Sequence, residues 1–251
     1  MKKLRKVKKR YIVLIAVLIV LIAVVIVFAQ FTSLGYRMTV PLRGFIEAAP
    51  NVYISRNFTD DVAEAATIVG DAKQRVLEFL GETRSIPTVI ICDDVNTIKK
   101  LGGDHDTMTT AIVNVYSYIV ISAEYLNVDV VAHEMTHAEV HRRILNGKLG
   151  FQLLIPTWFD EGLALQNDYR DMYDENAWEE ATDYGKSMVV LSEMDTPAKF
   201  YAGNLEERRY RYVVSKHELT GWIDRNGVDA LIDLLDRVNQ GEAFNDLYFA
   251  N

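Results

Sequence analysis

His133, Glu134 and His137 spell H-E-x-x-H. On a helix, histidines four residues apart lie one turn apart, about 6 Å along the axis, so both imidazoles reach one metal ion. Glu134 is then placed to take a proton from a water which that metal activates. A catalytic zinc normally takes three protein ligands and a water, so a third ligand must come from elsewhere. His141 is nearest, but eight residues beyond His133 means a rise of about 12 Å, too far to share the ion. A metzincin arrangement fails as well, because the chain continues AEVHRR where that pattern needs a glycine turn. A better candidate is Glu161 in PTWFDEGLALQ, residues 156–166. Thr157 with Asp160 three residues on is a capping-box-like start, with Pro156 outside it, which puts Glu161 early on a second helix.

HEMTH followed, after 23 intervening residues, by Glu161 within W-F-D-E-G-L-A resembles the gluzincin metallopeptidases, especially the MA-like peptidase domains with their Trp-x-x-Glu-Gly-x-Ala motif. The resemblance implies that His133, His137 and Glu161 bind Zn2+ and that Glu134 is the general base. It also implies a tyrosine downstream to stabilise the oxyanion. RYRYVVSKHELTGW, residues 209–222, resembles the family's Tyr-x-x-Ser helix, which matches Tyr212 and Ser215 and leaves Tyr210 and His217 as competitors. Leu165 and Gln166 depart from the pattern, standing where the family often has polar and aromatic residues. The likeness is sharp over residues 125–166, looser to about 245 and faint before 125.

These side chains need elements to hold them. For the helix over residues 128–146, Asn127 is the expected N-cap, Asp129 lies in the first turn, Arg142 and Arg143 lie near the end and Gly147 stops it. Val131, Met135, Ala138 and Leu145 recur at helical spacing, so one stripe is expected to be buried while the His133, Glu134 and His137 edge faces a cleft. Residues 110–122, TAIVNVYSYIVIS, predict one long strand or a hairpin, whose edge could take an extended peptide by strand addition. Upstream, residues 51–55 and 86–92 read as strands, and Thr59 as the cap of a helix carrying Val62, Ala66, Val69, Val76 and Leu80 and ending at Gly81. A short helix over 96–101 precedes the Gly102, Gly103 break, and His105 reads as a solvated loop residue. Residues 168–183 are crowded with acids and read as a solvated face. Residues 177–191, 208–225 and 228–239 read as helices. The expected fold class is α+β: a zincin-like domain over residues 51–251, with strands and a helix in its first half and helices in its second.

The first ten residues hold seven Lys or Arg, and residues 11–29 follow without a charge. Such a run makes about 28 Å of helix, close to the hydrocarbon thickness of a bilayer. It is too long for a signal-peptide core of about 7 to 15 residues, so a retained transmembrane anchor is expected, with residues 1–10 as a basic cytoplasmic tail. Residues 30–50, with Gly35, Pro41, Gly44 and Pro50, read as a stalk. Beyond the basic tail, 20 Lys and Arg face 35 Asp and Glu, a balance of -15 within the chain's overall -8. That acidity argues against nucleic acid or an anionic membrane face as a ligand, while a peptide or protein substrate is what the gluzincin resemblance implies. A single cysteine, Cys92, excludes an intrachain disulfide and reads as a buried strand thiol. The reading is a membrane-anchored, extracytoplasmic zinc metallopeptidase. The alternative is a zinc-containing module that binds without cutting and would have no need of Glu134.

Overall fold

The computed structural model describes residues 2–103, 108–112, 116–144, 154–187 and 190–249. Leu145, Gly147 and His105, singled out above, lie outside the described residues. Within α1 (Lys2–Phe31), Val13–Phe31 is a span of 19 residues with mean hydropathy 3.3 and none of it buried against the rest of the chain. It is long and apolar enough to cross a membrane.

The stretch read as a stalk is folded. Thr32 caps α2 (Ser33–Met38), its hydroxyl accepting from the Gly35 N–H at 2.9 Å. A 3-10 turn, Val40–Leu42, carries Pro41 near its start, where the missing N–H has no partner to lose. The buried Arg37 donates to the Leu101 carbonyl, and Arg43 reaches back to the Ala29 carbonyl and the Gln30 side chain at the end of α1. Glycine and proline here mark the joints between short elements rather than their absence.

Five strands follow: β1 (Ile46–Ala49), β2 (Val52–Ile54), β3 (Thr88–Cys92), β4 (Met108–Ile112) and β5 (Tyr116–Ser122). They form one sheet in the order β1-β2-β3-β5-β4, parallel through β2, β3 and β5 and antiparallel at both edges. The run over 110–122 is therefore a hairpin, with β4 at the sheet edge. Alternation assigns the faces. Val89, Ile91, Ile119 and Ile121 join the main core, while Ile90, Cys92, Tyr118 and Val120 form a second cluster with Val40, Ile98 and Leu101. The N-terminal segment and α4 (Val95–Lys100) thus cover the back of the sheet. Burial, with the charges of Asp94 and Asp93, pushes the Cys92 thiol up to about 12, which keeps it inert.

The main core is built on α3 (Val62–Leu80), capped by Asp61 rather than Thr59, and on α5 (Val128–Ile144). Asn127 caps α5 as expected, its side chain accepting from the Val130 N–H at 2.9 Å. The helical half comprises α6 (Thr157–Ala164), α7 (Glu175–Thr182), α8 (Pro197–Phe200), α9 (Leu205–Asn226), α10 (Val228–Gln240) and α11 (Phe244–Tyr248). α7 is shorter than the helix expected over 177–191, because Asp183 and Tyr184 turn into the left-handed region.

α5 packs against α3, β4 and β5 on one side and α6 and α10 on the other. It is therefore wrapped rather than half exposed, and every residue from 130 to 140 is buried. That explains why its apolar stripe is weak: polar groups inside it have partners instead. Glu139 and Arg143, each 1% exposed, pair at 2.8 Å, and the Glu139 carboxylate also accepts the Arg84 and Ser85 N–H groups. Removing one partner strands a buried charge. Glu139→Ala is expected to lower unfolding stability by about 3–5 kcal/mol in a denaturant titration, and a loss under 1 kcal/mol would show the clamp to be incidental.

Candidate metal centre

α5 and α6 bring the expected ligands together. The two imidazoles point their Nε2 atoms at each other, 3.2 Å apart, and Glu161 Oε2 lies 3.5 Å from that of His133 and 3.4 Å from that of His137. All three residues are buried, and Oε2 has no hydrogen-bond partner among the described residues. The Nδ1 atoms face carboxylates: Asp168 at 3.5 Å from His133 and Asp160 at 3.1 Å from His137. Carboxylates at Nδ1 hold a proton there and turn both Nε2 atoms to the centre, where each ring can present a lone pair. Burial lowers the two imidazoles, but Asp168 and Glu161 at His133, and Asp160 and Glu161 at His137, raise both above the ordinary range, so without a metal protonated rings supply the positive charge among these carboxylates. A metal cation can take over that role, and His133, His137 and Glu161 form a group able to hold one.

Glu134 is 8% exposed, beside the two histidines and outside the ligand group. Burial raises its carboxyl above the ordinary range, against the pull of His133 and His137. Burial acts the same way on Glu161, but the nearby His137 and His133 outweigh it and bring that carboxyl to about 2.

Trp158 and Phe159 hold α6 in an edge-to-face aromatic cluster with Phe244 and Tyr248. The N-terminus of α6 differs from the expected capping box. Pro156 is the cap, and the first N–H groups, of Thr157 and Trp158, donate to the carbonyls of Asp195 and Met194. Asp160 is thereby freed from capping and bridges His137 to His141, whose Nε2 lies 3.0 Å from Asp160 Oδ2. His137, His141 and Asp160 are themselves close enough to hold an ion. His137 belongs to both groups, and Asp160 at its Nδ1 fits the orienting carboxylate of the first.

Asp168 corrects the reading of 168–183 as a solvated face. It is fully buried, paired with Arg170 at 2.5 Å as well as facing His133. Burial would raise its carboxyl, but Arg170 and His133 hold it well below the usual range. Asn167 places it: its side chain donates to Thr136 on α5 at 2.9 Å, and its carbonyl accepts from Arg75 at 2.9 Å.

Gly162 shows why glycine follows Glu161. A Cβ there would stand 2.5 Å from the Ser215 carbonyl oxygen, so α6 and α9 touch backbone to backbone. Gly162→Ala is expected to destabilise the fold by about 1–3 kcal/mol and to shift Glu161, read as a lower melting temperature together with weaker metal binding. An unchanged melting temperature would show that the helices can part freely. Ser215, matched on resemblance, is the buried α9 residue at this contact. Gln166 supports the same joint by donating to the Gly162 and Lys216 carbonyls.

The tyrosines separate. Tyr212 packs against Phe200 and Tyr173, and burial followed by the charge of Glu161 raises its hydroxyl above the ordinary range. Tyr210 donates to the Ser187 carbonyl, and His217 stacks on Trp178 at 3.6 Å while facing Glu175, so neither competitor is directed at the ligands. Tyr201, unforeseen, closes the C-terminal end of α8 and donates to Glu161 Oε1. A tyrosine in KFYAGN carries no signal in sequence. Asp160 did carry one, since it precedes Glu161 and His141 stands one turn past His137.

No known protein family matches the chain, and no curated protein is similar enough in sequence to count as a relative.

Proposed function

We propose that this protein is a zinc-dependent metallopeptidase of gluzincin type with a zincin-like fold, tethered to the membrane by α1. The observation that carries the reading is the triangle of ligand atoms, with sides of 3.2, 3.4 and 3.5 Å. Three protein ligands of one zinc ion stand about 3.3 Å apart, so the spacing of His133, His137 and Glu161 fits that ion, and these three residues would hold it. Zinc bound there would polarise a peptide carbonyl and acidify a water.

The chain's own groups supply the rest. Glu134, beside the histidines, takes the proton from the attacking water and passes it to the leaving amine. Asp160 and Asp168 hold the two rings in register. Tyr212, matched on resemblance, is the proposed oxyanion donor, and the Tyr201 hydroxyl steadies Glu161. The outer edge of β4 is the proposed seat for an extended peptide. The basic start of the chain puts residues 1–10 in the cytoplasm and the domain outside, by the positive-inside rule.

A non-catalytic zinc module would keep the three ligands, but it gives no reason to bury a carboxylate at position 134. Turnover of a generic peptide library by the full-length protein, abolished by a chelator and restored by zinc, is the expected result. Absence of turnover in the zinc-loaded protein would favour the binding module.

A further inference from the structure

Behind the metal helix, on the side away from the histidines, lies a cavity of about 280 Å³. Val69 and Val76 of α3, Val52 and Val89 of the sheet, and Met135 of α5 make its apolar walls. Its bulk is that of about nine water-sized groups, or a medium-length acyl chain. Such a space, walled by hydrocarbon with few polar groups at its mouth, is how small-molecule sites are built.

Two observations say what fills it. Lys73 is the lining cation, lies exposed, and makes no ion pair among the described residues. The lining anion, Glu139, is already occupied by Arg143 and two backbone N–H groups, so the charge available to a ligand is positive. The second is Gly70, also lining the cavity and in the interior of α3. Glycine weakens a helix interior, and no contact demands it here, because a Cβ would meet nothing within 4 Å. What glycine does preserve is open space at the mouth. Ile86, 75% exposed on the rim, adds an apolar lip.

We propose that this cavity binds a single-chain aliphatic carboxylate, with the chain against the valines and Met135 and the carboxylate at Lys73. The site is separate from the metal centre and does not depend on peptidase activity. Its inner wall is nonetheless the metal helix, since Met135 and Glu139 lie two residues either side of His137. The 83–87 segment that borders it is fastened to α5 through Glu139.

The test uses the full chain in lipid nanodiscs with decanoic acid carrying a photoreactive diazirine on its tail. Crosslinks are expected within residues 66–76 and 85–89, displaced by plain decanoate. Gly70→Leu should reduce this labelling at least about tenfold by filling the mouth, while Gly70→Ala, whose methyl meets nothing, should retain it. Lys73→Gln should weaken competition by decanoate about two- to fivefold, as expected for an exposed charge contact. Labels confined to α1, or equal labelling of wild type and Gly70→Leu, would overturn the site. Equal competition by decanol and decanoate would overturn the assignment of an anionic head.

Discussion

Glu134→Gln is expected to keep its metal and lose about 10²- to 10⁴-fold in kcat/KM, the range a positioned acid-base group contributes. Glutamine has the same shape and fits the same buried position, so neither the fold nor the three ligands should notice. What it lacks is a basic oxygen to accept the proton of the attacking water. The wild-type carboxylate is moreover held above its usual pKa by burial, which brings it closer to the working range of a general base. The check is a pair of measurements on one preparation: metal content by elemental analysis, and kcat/KM on a fluorogenic peptide. Full activity would remove Glu134 from the chemistry, while loss of metal would make it part of the metal-holding structure.

The second large effect is expected at Glu161. Glu161→Ala removes the anionic member of the group and leaves two imidazole nitrogens 3.2 Å apart. Loss of an outer partner of a ligand costs about 10- to 100-fold in metal affinity, and loss of a ligand should exceed that. Zinc titration against a competing chelator reads the change directly. The variant should still fold, because α6 is held by Trp158 and its aromatic neighbours rather than by the carboxylate. Affinity equal to wild type would place the carboxylate outside the metal's reach, and the gluzincin reading would fall with it.

The candidate ligands were legible because their chemistry is local. H-E-x-x-H fixes two side chains through helical geometry, and the W-F-D-E-G-L-A resemblance marked an acid early on a second helix. The β-prone runs and the Asn127 cap of α5 are local in the same sense, and the helices expected over 208–225 and 228–239 lie close to α9 and α10. What sequence did not disclose depends on long-range packing. The burial of Asp168 rests on Asn167 reaching Thr136, thirty-one positions away, and the Tyr201 contact rests on α8 packing against α6. The capping-box reading of Thr157 went wrong for the same reason, since carbonyls of a distant loop took over the donors. The supposed stalk misled differently: prolines and glycines report where the backbone bends, and bends crowd together when elements are short.

That folded segment has a mechanical consequence. Arg43 ties the end of α1 to a layer that is itself pinned through Arg37 to Leu101 at the end of α4, part of the cluster behind the sheet. If α1 stays in a bilayer, the candidate metal centre has neither swivel nor tether length. Its altitude over the lipid and its compass heading are set by the join, and a substrate of the proposed peptidase would have to present itself at that height.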